Sequence, residues 1–108
     1  GPSAYNDPAL AKRVTDTMAD WLGKGTLIKR QPTMGGEDFG MYGRTEHKIP
    51  IFMFALGTVS SDLIKRFRAA GKPLPMVHSS TYAPDIEPSL RTGVTATTAT
   101  ALDLFAAP

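Results

Sequence analysis

Leu10, Val14, Met18 and Trp21 recur at intervals of four, four and three, while Lys12, Arg13, Asp16 and Asp20 fall off that stripe. The spacing predicts a helix with one face in the core and the other in water. Asp7-Pro8 supplies its start, an N-cap followed by proline at the first helical position, where the missing N–H costs nothing. Gly23 and Gly25 supply its stop. Residues 26–29 read as a short strand, and the proline and paired glycines of Gln31-Pro32-Thr33-Met34-Gly35-Gly36 then enforce a loop. Glu37-Asp38 opens a short helical turn, acidic where the helix dipole is positive, with Gly43 as its stop.

Ile51-Phe52-Met53-Phe54-Ala55-Leu56 is apolar at every position. Such a run asks for cover on both faces and predicts a central strand in a helix-flanked, mostly parallel sheet, hence an α/β fold. Ser60 or Ser61 then caps a helix with Leu63, Ile64 and Phe67 inward and Lys65, Arg66 and Arg68 outward, ending at Gly71-Lys72-Pro73. Residues 73–80 are mostly irregular. Glu87-Pro88 starts a last helix with the stripe Leu90, Val94, Ala101, Leu104 and Phe105, and its five threonines between Thr92 and Thr100 leave it dependent on packing. Trp21, Phe52 and Phe54 read as core. Two strands cannot satisfy the edges of a run as apolar as 51–56, so further strands are expected from polypeptide outside this chain.

With 108 residues there is room for one small domain. Twelve basic residues stand against ten acidic ones, scattered in runs no longer than two, which gives little support to nucleic-acid binding, even through the basic helix 62–70. The chain has no cysteine, so disulfides and thiolate metal sites are excluded. Its longest apolar run is far short of the roughly 20 residues that span a bilayer. No secretory signal pattern opens the chain, and a signal segment lying upstream would leave cytoplasm and periplasm equally open.

Candidate chemistry is sparse. Neither a nucleophile elbow nor a spaced triad is present. Gly35 and Gly36 ahead of Glu37 and Asp38 would let backbone N–H groups face an anion such as a substrate carboxylate, although a plain loop-to-helix junction with solvated acids is the stronger reading of these residues by themselves. His78, one of two histidines, sits in a proline-rich loop where an imidazole can be aimed into a cleft, but a lone histidine is more often structural than a ligand. His47, between Glu46 and Lys48, reads as solvent-exposed.

The order of these features carries more than any one of them. Met34-Gly35-Gly36-Glu37-Asp38-Phe39, then Ile51-Phe52-Met53-Phe54-Ala55-Leu56-Gly57, then His78-Ser79 and a closing helix resembles the last third of the M20 metallopeptidase and amidohydrolase family. The branch it resembles includes N-acyl amino acid, hippurate and auxin-conjugate hydrolases. Tyr5-Asn6-Asp7-Pro8-Ala9-Leu10 is similar to the return into the catalytic domain after that family's inserted lid, so residues 1–108 would form the C-terminal portion of one catalytic domain.

The resemblance implies a parent enzyme with two divalent metal ions, zinc or manganese, whose activated water attacks the amide carbonyl of an N-acyl amino acid or small peptide. It implies that His78 is a metal ligand, that Gly35, Gly36, Glu37 and Asp38 line the substrate site, and that no catalytic residue lies within this chain. The remaining ligands, the general base and the lid have no counterpart here, and the stretch 60–75 is long for the family. The implied partners are the remainder of the catalytic domain and, through an exposed sheet edge, a second copy. The isolated chain is expected to be inactive. The competing expectation is a free-standing α/β interaction module without catalysis, which requires a complete core and a polar sheet edge.

Overall fold

The computed structural model describes residues 2–106 and contains helices only: α1 (Pro8–Leu22), a single 3-10 turn (Lys24–Thr26), a 3-10 helix (Asp38–Arg44), α2 (Ser61–Ala69) and α3 (Ile86–Phe105). Among the described residues there is no strand, so the expected α/β fold with a helix-flanked parallel sheet is wrong. The two expected strands fail for different reasons. At 26–29, Thr26 turns back, its N–H and hydroxyl both donating to the Gly23 carbonyl, and Ile28 is 85% exposed. At 51–56 the neighbouring N-terminal segment forms no ladder: Asp7 gives one backbone bond, to the Ile51 carbonyl, and Met53 is met by the Asn6 side chain instead of by backbone. An apolar run signals a demand for cover, whereas a strand also needs a second chain segment to complete its ladder.

The chain divides into two compact units, Gly1–Ala55 with Thr95–Pro108, and Leu56–Val94. In the first, α1 begins as its sequence dictates: Asp7 Oδ1 accepts the Leu10 N–H at 2.8 Å, Pro8 holds the first helical position, and Gly23 at φ 95° ends the helix. Val14 and Met18 are buried against Ala96 of α3, with Leu10, Leu22 and Phe52 packed around them. Trp21 is 59% exposed and is no part of this core. The stripe continues from Met18 to Leu22, the four-residue step, which points back along the buried face. On the outer side Arg13 clamps α3, its Nε donating to Asp103 Oδ2 at 2.7 Å and its Nη2 to the Asp103 carbonyl at 2.6 Å.

The unit's N-terminal residues are sewn to 51–53. Asp7 N–H donates to the Ile51 carbonyl at 2.9 Å, and the Asn6 side chain both donates to the Met53 carbonyl and accepts the Met53 N–H, each at 2.8 Å. Gly40, buried in the 3-10 helix, lies against the backbone of Ser3 and Ala4.

In the second unit, Ser60 caps α2 by accepting the Leu63 N–H at 3.2 Å, and Gly71 at φ 63° turns the chain away after Ala70. Thr58 gathers the far end: its carbonyl accepts the Asp85 N–H at 2.7 Å and the Ser89 hydroxyl at 3.4 Å, and its hydroxyl pairs with that of Tyr82. No residue of this unit is buried. The last helix is where it was expected, but its stripe is not: Leu90, Val94, Leu104 and Phe105 are exposed, and the residues that α3 buries are Ala96 and Ala99.

The accessible surface totals 8897 Å². Area scaling gives about 5,800 Å² for a compact chain of this mass and only about 7,000 Å² for the two units as separate compact bodies. The chain therefore leaves uncovered much surface that a closed globule of its size would bury.

Candidate functional site

Residues 23–38 are exposed throughout, so the loop that carries Gly35 and Gly36 is surface chain. Neither glycine has a positive φ, and a Cβ would meet only Thr33 Oγ1 at 3.9 Å from Gly35 and open space at Gly36. Nothing in this loop requires glycine by strain or crowding. Glu37 has a definite local task, since its Oε1 accepts the Phe39 N–H at 3.0 Å and caps the 3-10 helix that Asp38 begins. The carboxylate predicted to face substrate is thus occupied in holding a helix start. Behind it, Phe39 and Tyr42 stack obliquely with centroids 5.6 Å apart, and Arg44 reaches Ser3 Oγ at 3.3 Å.

His78 belongs to the other unit. It is exposed at φ 71°, in a turn closed by the Ser79 N–H on the Met76 carbonyl at 3.1 Å. That places histidine at the third position of a β-turn, where a positive φ usually selects glycine or asparagine. Ser79 Oγ accepts the Thr81 N–H at 3.2 Å, and the Ser79 carbonyl accepts the Tyr82 N–H at 3.1 Å, so a chain of short-range bonds sets the loop. The left-handed backbone at His78 has no sequence signal, because histidine at an ordinary turn position reads the same.

His47 lies 3.4 Å from Glu46 Oε1 with both side chains exposed. Among the described residues no three His, Cys, Asp or Glu side chains gather into a metal-binding group. His78 and the acids of this chain therefore do not fit a two-metal centre by themselves. The Asp16 carboxylate, 2.6 Å from Lys12 Nζ, raises the Lys12 ammonium above its ordinary 10.5 through a hydrogen bond and charge attraction. Any stability this exposed pair contributes is present below pH 10.5 and lost as the pH rises through the folded value, and salt screens it.

No helix among the described residues is long and apolar enough to cross a membrane. No family model matches the chain, and neither does any curated protein or solved structure.

Proposed function

We propose that this chain is the C-terminal part of a metal-dependent amidohydrolase acting on N-acyl amino acids or small peptides, and that alone it is inactive. The motif order supports the family reading: Met34 to Phe39, the apolar run into Gly57, then His78-Ser79. The structural observation that carries the incompleteness is the apolar run itself, with Met53 and Phe54 each left 41% exposed. A surface of that kind marks an interaction site or a missing neighbour. The reading does not rest on a sheet. It assigns His78 as the one metal ligand this chain lends, Gly35, Gly36, Glu37 and Asp38 as lining of the substrate site, and the remaining ligands to polypeptide elsewhere.

The competing module requires a complete core. Among the described residues five apolar ones are buried, all in the first unit, which favours the fragment over the module.

Two measurements test the proposal. The purified chain, given zinc or manganese, is expected to retain no stoichiometric metal after desalting and to leave N-acetyl amino acids uncleaved. The reading frame upstream of the segment encoding Gly1 is expected to supply the missing His, Asp and Glu ligands, and His78→Ala in that longer protein to abolish its metal-dependent hydrolysis. Turnover by the 108 residues alone, or a frame without such ligands, overturns the reading.

A further inference from the structure

In extended chain the N–H and C=O of one residue point to one edge and those of the next residue to the other. Ile51 and Met53 share an edge, and it is sealed: the Ile51 carbonyl accepts the Asp7 N–H, and both backbone groups of Met53 are taken by the Asn6 side chain. Phe52 and Phe54 therefore present their backbone groups on the opposite edge, where no partner is found among the described residues. Their rings lie on one face, 6.1 Å apart and nearly parallel, and no charged residue occurs from Ile49 to Val59.

We infer that this edge pairs with the same edge of a second copy, giving a closed antiparallel dimer in the isolated chain. The register is self-complementary. A two-fold axis at Met53 sets Phe52 opposite Phe54 of the second copy and Phe54 opposite its Phe52, both in hydrogen-bonded positions, so four backbone bonds form with no unmatched group between them. The four rings then lie together on one face, a favourable cross-strand arrangement, and a neutral segment meets its copy without like-charge repulsion. Because Asn6 occupies the other edge, pairing stops at two chains. The inference goes beyond the amidohydrolase reading and stands whether or not that reading holds, since it concerns only the isolated chain.

The test is light scattering after size exclusion across a concentration series, with infrared amide bands read on the same samples. The wild-type chain is expected to shift from monomer to dimer mass with a gain in β signal. Phe54→Pro, which removes an N–H from the pairing edge, is expected to remain monomeric, and Phe54→Lys, which leaves the backbone intact, to dimerise more weakly. Asn6→Ala, which opens the sealed edge, is expected to grow beyond the dimer, whereas Phe105→Glu on the exposed face of α3 is expected to leave dimerisation unchanged. A wild-type chain that stays monomeric at every concentration overturns the inference. So does a dimer that survives both Phe54 variants or is lost in Phe105→Glu.

Discussion

Gly40 is the position where a single hydrogen decides local structure. A Cβ built there would stand 2.5 Å from the Ser3 carbonyl oxygen and 2.9 Å from its carbon, and both are backbone atoms that no rotamer change can move aside. Gly40→Ala is expected to lever the N-terminal residues off the 3-10 helix at a cost of about 1–3 kcal/mol, the range for overpacking. Denaturant unfolding measures the cost, and amide exchange at Met53 reports whether the Asn6 clamp is lost with it. Gly36→Ala is the control. It meets open space and is expected to change stability by less than about 0.5 kcal/mol, as surface substitutions usually do. Equal effects at the two positions would show that Ser3 is not seated where it is described.

At the scale of elements, α1 and α3 behave differently although both begin where their sequences say. The face of α1 repeats large side chains at a four-residue step, and three of them, Leu10, Val14 and Met18, point into the core. On α3 the large side chains lie outward, the residues it buries are Ala96 and Ala99, and Ala96 is the one that joins Val14 and Met18 in the core. Met18→Ala is therefore expected to cost about 2–4 kcal/mol through lost burial and the void it leaves. Leu90→Ala is expected to be neutral or slightly stabilising, since Leu90 is 62% exposed and alanine is the better helix former. Circular dichroism of thermal unfolding distinguishes them, and a larger loss at Leu90 would restore the stripe that hydrophobic periodicity implies.

For the whole molecule the deciding quantity is its 8897 Å² of accessible surface. The heat-capacity increment of unfolding scales with the surface newly exposed, and about 1.3–1.6 kcal/mol/K is usual for a fully folded chain of this length. This chain has less left to expose, so scanning calorimetry at low concentration is expected to give a smaller increment and a broad transition. The second unit, without a buried residue, is expected to lose amide protection before α1 does. A sharp transition with the full increment would mean that the chain closes a core of its own.

Local chemistry made part of this structure legible in advance. Asp7-Pro8, Glu37 and Ser60 start helices because side-chain oxygens accept N–H groups within three residues and the ring of Pro8 presets φ at the first helical position, and Gly23 and Gly71 turn the chain because glycine tolerates the required φ cheaply. Those signals survive without any tertiary partner. Which face of α3 is covered, the exposure of Trp21, the left-handed backbone at His78 and the absence of a sheet at 51–56 were decided by tertiary structure, because each depends on what stands opposite. Of the candidate site, the capping role of Glu37 lay within reach of its neighbours. Whether His78 meets other ligands depends on distant chain, and for that reason the motif order could suggest a chemistry that these residues do not assemble by themselves. The sequence alone determined where helices begin and where an apolar run asks for cover, and only the tertiary structure decided which of those requests is met, since burial is a property of two surfaces and a sequence describes one.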